Sequence, residues 1–151
     1  MRLRIRSILV PLVAVTFFTG CGDDEGPVNI VPAPNLSGTY DLASVVGAVL
    51  TGGLTLTPTS VPPATGTMTV AQTSSTGSTA TGTYQITIDI AGNLVVDNGT
   101  YSIDGSTGSW GQDSSTQGFQ SVGTYTFVGG RLTVVVTTPP AAAGTSVWDE
   151  Q

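Results

Sequence analysis

Apolar and polar residues alternate along much of the chain after residue 36. In residues 84–90 (Tyr-Gln-Ile-Thr-Ile-Asp-Ile), the tyrosine and three isoleucines fall on one face and the polar residues on the other. A period of two residues indicates a β-strand with one buried face, and no sustained apolar period of 3.6 residues occurs in this region. Thr, Val, Ile, Gly and Ser dominate the region, as is typical of strands and turns. The pattern predicts an all-β domain.

The tripeptide Gly-Thr-Tyr occurs four times and contains all four tyrosines of the chain, Tyr40, Tyr84, Tyr101 and Tyr125. Each copy is followed by alternation that places the tyrosine and the next apolar residues on one face. We interpret the repeat as a building unit, in which Gly and Thr lead into a strand and Tyr sets the phase of the buried face.

A two-residue hairpin is predicted at Asn98-Gly99. A type I′ turn needs two residues that tolerate positive φ, and Asn-Gly is the strongest short signal for one. This turn would place Val96 opposite Tyr101 and would leave Asp97 beside the turn. Directly paired residues lie on the same face of a sheet, so the register would keep the apolar side chains together.

Two further turns give registers of the same kind. A four-residue turn pairs Ile103 with Trp110, and a Gly-Gly turn at residues 129–130 pairs Tyr125 with Val134. Both registers keep apolar side chains on one face of the sheet.

Consecutive strands joined by tight hairpins form an antiparallel up-and-down meander. A long meander with one apolar face tends to close on itself, because closure removes its exposed edges. The further candidate strands are residues 40–42, 54–56, 68–70 and 145–149, the last of which would pair with the first. Loops are predicted at residues 58–65, 73–78 and 112–117. The expected fold is a closed barrel of eight to ten strands.

The N-terminus has the pattern of an export signal. Residues 1–6 carry three of the four basic residues, and the apolar run at residues 8–18 is too short for a stable membrane span. The following Phe-Thr-Gly-Cys at residues 18–21 resembles a bacterial lipobox, which implies cleavage before Cys21 and a diacylglycerol on its thiol. An ordinary secretory signal followed by a chance cysteine is the alternative.

The chain therefore divides into three expected parts: a lipoprotein signal peptide (residues 1–20), a lipidated cysteine with a flexible tether (21–35) and a β-barrel domain (36–151). Cys21 is the only cysteine, so it is interpreted as an anchor. Lipid chains such as diacylglycerol and palmitate would hold it at a membrane, since each buried methylene contributes about 0.8 kcal/mol. The expected location is the cell envelope. Gly22 after the cysteine favours the outer membrane if the bacterium is Gram-negative.

The charge of the processed chain restricts its function. Arg131 would be its only base against ten acids, a formal balance of −9. Phosphate binding needs clustered Lys and Arg, so nucleic acid is not an expected partner. Lys and His are absent, which excludes Ser-His-Asp, Cys-His and His-metal chemistry. We expect no enzyme activity, no catalytic residue, no cofactor and no metal site.

The acidic residues do not form a predicted site either. A glycosidase needs two converging carboxyl groups, but Asp41 and Asp89 fall on the polar face, while Asp97 and Asp104 flank turns. Calcium at Asp97, Asn98 and Asp104 would match no known loop spacing. Asp and Asn are common turn residues in any case.

The domain resembles the bacterial lipocalin-like lipoproteins. The resemblance is carried by residues 36–50, 66–70, 123–136 and 145–148. Lipocalins open with Gly-x-Trp, often with a late Arg over the Trp; here Gly38-Thr39-Tyr40 has Tyr in that place, and Arg131 is the only candidate Arg. Arg131 can equally be a polar residue that leaves a Gly-Gly turn. The resemblance implies a calyx for a small apolar ligand.

Two functions remain open at this stage. In the first, a lipid-anchored lipoprotein binds a small apolar ligand. In the second, a structural or protein-interaction lipoprotein has a filled barrel and no ligand, since an eight-stranded barrel can be of either kind. The aromatic residues that would line the pocket or fill the core are Tyr84, Tyr101, Trp110, Phe119, Tyr125 and Phe127.

Overall fold

The structure is a computed structural model that describes residues 30–118 and 120–151. The expected signal peptide, the predicted lipidation site at Cys21 and most of the expected tether lie outside the described residues, and so does Phe119. No helix within the described ranges has the length and apolar character to span a membrane.

Eight antiparallel strands form a closed barrel in which each strand pairs with the next and the last pairs with the first. The strands are β1 (Gly38–Gly47), β2 (Ala64–Thr76), β3 (Thr79–Ile90), β4 (Asn93–Asp104), β5 (Ser109–Ser115), β6 (Ser121–Val128), β7 (Arg131–Thr138) and β8 (Gly144–Glu150). A short helix α1 (Ala48–Thr51) follows β1, and a 3₁₀-helix (Pro140–Ala142) precedes β8. The predicted all-β up-and-down closed barrel is confirmed.

Two of the predicted registers are confirmed. Ile103 pairs with Trp110 across the β4–β5 turn, and Tyr125 pairs with Val134 across the β6–β7 turn at residues 129–130. In both hairpins the paired side chains point into the barrel and are buried. In these hairpins the length of the turn and the alternation of apolar and polar residues predict the same residue pairs, and together they fix the register.

The predicted hairpin at Asn98-Gly99 is wrong. Strand β4 runs straight through both residues, and the β3–β4 hairpin turns at Ala91-Gly92, whose φ angles are 52° and 87°. Asn-Gly tolerates positive φ but does not require it, so pairing along the full length of β3 and β4 decides the conformation. As a result, Val96 is on the outside of the barrel with 36% of its surface exposed.

Several segment boundaries also differ from the prediction. Residues 73–76 and 112–115, predicted as loops, belong to β2 and β5, and β2 begins within the predicted loop at residues 58–65. Of the candidate strand at residues 54–56, only Leu56 forms a bridge, to Val45. Polar Ser, Thr and Gln residues fit the outer face of a strand as well as a loop, which explains the error.

The Gly-Thr-Tyr repeat has a packing role in β3 and β4. Gly82 pairs with Tyr101, and Tyr84 pairs with Gly99. A Cβ atom at Gly82 would collide with the Ala71 carbonyl oxygen and lie 2.7 Å from Cε1 of Tyr101. Each glycine therefore leaves room for the tyrosine of the opposite strand.

One end of the barrel, which we call the floor, carries the β2–β3, β4–β5 and β6–β7 turns. The chain before β1 packs against this end: the Ala33 N–H donates to the Gly77 carbonyl oxygen (3.3 Å), and backbone atoms of Ala33 lie beside Gly105. Leu36 is fully buried there, and its carbonyl oxygen accepts a hydrogen bond from the Tyr40 hydroxyl at 2.8 Å. Residues before the first strand thus help to seal the floor.

Candidate ligand-binding cavity

A cavity of about 610 Å³ lies in the half of the barrel away from the floor and opens to solvent. Its lining comes from the end of β1, the β3–β4 hairpin, the end of β7, residues 141–143 and the start of β8, together with Leu50, Gln112 and Gln117. These segments surround the end of the barrel opposite the floor, which we call the mouth.

The cavity walls are mainly aliphatic. Ile86, Ile88 and Ile90 line it from β3, and Val134 and Val136 line it from β7. Each set is spaced by two residues, so the strand alternation that predicted a buried face places all of them inward. The interior is therefore suited to an apolar molecule.

One carboxylate lies in this apolar lining. Asp97 is on the inward face of β4 and lines the cavity. Its Oδ2 accepts hydrogen bonds from the Tyr84 hydroxyl (2.9 Å) and from Nε2 of Gln112 (2.7 Å). Its Oδ1 accepts from the hydroxyls of Ser115 (2.7 Å) and Thr116 (3.1 Å).

Tyr84 and Gln112 connect this carboxylate to the core. Burial raises the pKa of Tyr84 above its usual value, and the hydrogen bond and negative charge of Asp97 raise it further. The tyrosine therefore stays neutral and remains a donor. The Gln112 amide also donates to the Tyr84 hydroxyl, and its Oε1 accepts from the Ser121 hydroxyl at 2.6 Å.

Five of the six aromatic residues named from the sequence lie elsewhere. Tyr84, Tyr101, Trp110 and Tyr125 are buried and Phe127 packs against the same core, but none of them lines the cavity. Tyr101 stacks on Trp110 with centroids 5.3 Å apart, and Tyr40 meets Phe127 edge to face at 6.5 Å. These contacts fill the half of the barrel nearest the floor.

Sequence reasoning missed Asp97 as a cavity residue because it placed this residue beside a turn. A signal was present: Asp97 lies four residues before Tyr101 and six before Ile103, so in an unbroken strand all three share a face. The mistaken hairpin at residues 98–99 broke this relation. Gln112 was missed because its segment was predicted as a loop.

Arg131 lies on the surface of the barrel. Its Nε and Nη2 donate to the two carboxylate oxygens of Asp149 at 2.6 and 2.9 Å. The side chains of this pair are 58% and 47% exposed. Arg131 is thus a surface residue that leaves the Gly-Gly turn, one of its two expected roles.

Within the described part of the chain, no three His, Cys, Asp or Glu side chains are grouped so that they could hold a metal ion. Comparison of the chain with models of protein families, with curated proteins and with solved structures finds no match. The assignment of the fold is therefore based on the strand pairing alone. The proposal for a function is based on the cavity.

Proposed function

We propose that this protein is a lipid-anchored lipoprotein of the cell envelope, without catalytic activity, whose lipocalin-like barrel binds a small apolar molecule. The observation that carries the proposal is the cavity of about 610 Å³ with aliphatic walls and an open mouth. Pockets that hold drug-sized ligands measure roughly 300–1,000 Å³ and combine apolar walls with a few polar groups. An eight-stranded barrel is wide enough to hold one such ligand.

The anchoring part of the proposal rests on the sequence. The basic start, the short apolar run and the lipobox-like residues 18–21 together support lipidation of Cys21. Gly22 supports the outer membrane as the destination in a Gram-negative host. A Cys21→Ser variant should lose incorporation of labelled palmitate and should leave the membrane fraction; retention of the label would overturn the assignment.

A second candidate is a structural or interaction lipoprotein that needs no ligand. It is favoured by the dense half of the barrel, where Tyr101, Trp110 and Tyr125 are buried close to the floor. In this case the outer face of Thr, Ser and Gln residues would meet a partner, and the cavity would stay unused.

Binding of an apolar fluorescent dye distinguishes the two candidates. Val95 lines the cavity, whereas its neighbour Val96 lies on the outside of the same strand. If the ligand enters the cavity, Val95→Trp should weaken dye binding by about tenfold or more, because the indole takes up space that the ligand needs. Val96→Trp is the matched control and should leave the affinity unchanged.

Native mass spectrometry of the protein from its own host gives an independent test. A small apolar molecule that copurifies with the protein, and is lost from Val95→Trp, would support binding. Absence of dye binding together with absence of a copurifying mass would overturn the ligand-binding proposal and favour the structural candidate.

A further inference from the structure

The cavity carries a negative charge that nothing in the described residues neutralises. Asp97 is the only charged residue among those that line it. Arg131, the only base among residues 30–118 and 120–151, is engaged with Asp149 outside the barrel. The four groups that donate hydrogen bonds to Asp97 are hydroxyls and an amide, all of them neutral.

Two amide side chains of the lining, Gln117 and Asn93, also offer acceptors. The Gln117 amide nitrogen donates to the Val96 carbonyl oxygen at 2.6 Å, and the Asn93 amide nitrogen donates to the Ile90 carbonyl oxygen at 3.2 Å. In both side chains one of the two amide N–H groups donates to the protein's own backbone, and no described residue donates to the amide oxygen. The ligand thus meets one carboxylate, two amide oxygens and the hydroxyls of Thr145 and Ser146, which can donate or accept.

A ligand that is complementary to this lining needs an apolar body and a group rich in hydrogen-bond donors. A protonated amine has three N–H donors and no acceptor, and its charge is opposite to that of Asp97. A carboxylate ligand would bring a second negative charge into a space of low polarity, where like charges repel strongly.

We propose that the cavity selects cationic amphiphiles, that is, molecules with an aliphatic body and a protonated amine placed near Asp97. This inference deepens the proposed function and rests on it. The aliphatic walls from β3 and β7 take the apolar body, while Asp97, with Gln117 and Asn93 toward the mouth, takes the amine.

The test compares three ligands with the same chain and different head groups: dodecylamine, dodecanol and dodecanoate. Binding is measured by dye displacement at neutral pH. The sample is the protein purified after expression of the full chain, and the blank is the same buffer without protein. We expect the amine to bind roughly tenfold or more tightly than the alcohol, and the carboxylate to bind most weakly, because the charge of Asp97 attracts the protonated amine and repels the carboxylate.

Asp97→Asn removes the charge with little change of volume. The preference for the amine should then fall about tenfold or more, to the level of the alcohol, because the charge attraction is gone. Asp113→Asn is the matched control, since Asp113 is exposed on β5 and does not line the cavity, and its carboxylate accepts one surface hydrogen bond, from Ser102.

The outcomes separate the two proposals. If all three ligands bind with equal affinity, selection by charge is overturned while ligand binding stands. If none binds, both fail. The comparison of head groups on the unaltered protein requires no variant, so it decides the question even if Asp97→Asn does not fold.

Discussion

Tyr40 and Tyr101 are both fully buried near the floor, but their hydroxyl groups differ. The Tyr40 hydroxyl donates to the Leu36 carbonyl oxygen at 2.8 Å, whereas the Tyr101 hydroxyl has no hydrogen-bond partner among the described residues. A buried polar group without a partner costs about 1–3 kcal/mol, and a satisfied one contributes about 1 kcal/mol.

We therefore expect two Tyr→Phe substitutions to have opposite effects. Tyr101→Phe should raise the free energy of unfolding by about 1 kcal/mol, and Tyr40→Phe should lower it by about 1–2 kcal/mol, because it leaves the Leu36 carbonyl oxygen without a donor. Chemical denaturation of both variants beside the unaltered protein measures the difference. A loss of stability of equal size in both would contradict this account of the two hydroxyls.

The buried tyrosines also predict how stability depends on pH. Burial, with a smaller effect of nearby Glu150, raises the pKa of Tyr40 to about 12, and burial raises that of Tyr101 to about 12. The unfolded chain releases these protons near pH 10, so their stabilisation is fully present below pH 10 and is lost as the pH rises toward 12. Denaturation at a series of pH values, with tyrosinate absorbance measured in parallel, should show that the free energy of unfolding falls over the same pH range in which the tyrosines lose their protons. A constant free energy of unfolding from pH 9 to 12 would contradict this prediction.

At the residue scale, the sequence predicted the aromatic core better than the cavity. The apolar period identifies Tyr101 and Trp110 as inward residues, because burial of large side chains follows directly from alternation. Asp97 could not be found in this way, since polarity normally places a residue outside. Its inward position depends on the continuity of β4, and its donors come from β3, β5 and the following turn.

At the scale of the strand, the pairs of glycine and tyrosine in β3 and β4 determine how closely the strands approach. Gly82→Ala would push a methyl group into the Ala71 carbonyl oxygen and the Tyr101 ring. We expect it to lower the free energy of unfolding by about 2–3 kcal/mol, the upper part of the usual range for overpacking a tight core, because the clash is with the backbone. Thermal and chemical denaturation measure this loss.

Gly38 provides the control within the same repeat. A Cβ there would be 3.3 Å from a carboxylate oxygen of Glu150, the flexible end of an exposed side chain that can move. Gly38→Ala should therefore change stability by less than about 1 kcal/mol. Equal effects at the two positions would show that glycine acts in the repeat through strand propensity alone, and that close packing of Gly82 against Tyr101 has no separate effect on stability.

The strand-scale error at Asn98-Gly99 has a physical explanation. The sequence signal reports which residues readily adopt positive φ. Asn98-Gly99 fits it at both positions, whereas Ala91-Gly92 fits it only at Gly92. Turning at Ala91-Gly92 lets twelve consecutive residues of β3 pair with β4, whereas a turn at residues 98–99 would divide β4. The number of residue pairs between β3 and β4 therefore outweighs the local turn preference. A few residues of sequence do not reveal how long the paired strands will be.

At the scale of the whole molecule, the floor depends on the chain before β1. Leu36 is fully buried, and its N–H donates to Oε1 of Gln72 at 3.2 Å. Leu36→Ala should lower the free energy of unfolding by about 2–4 kcal/mol, because a cavity would remain in the sealed end. Val31→Ala is the control: Val31 is 50% exposed, and its truncation should have little effect. Equal stabilities in chemical denaturation would show that this segment does not contribute to the floor.

Barrel closure was predictable from the sequence because the evidence for it is distributed over many strands. Tight turns, period-two alternation and an apolar final segment all indicate the same meander, and an error in one hairpin does not change the fold class. The unfilled half was not predictable, since it depends on how far the side chains of opposite strands reach across the interior.

The N-terminal segment joins the barrel at the end opposite the cavity. Residues 32–36 reach β1 along the floor, so the proposed lipid at Cys21 would join the domain at its sealed end, while the cavity opens at the other. Eight residues lie between Cys21 and Ile30, so the nine steps that join them reach at most about 30 Å. With the proposed lipid attached at the floor, the mouth would be the end farther from the attachment point, and a bound ligand would exchange there with the aqueous phase.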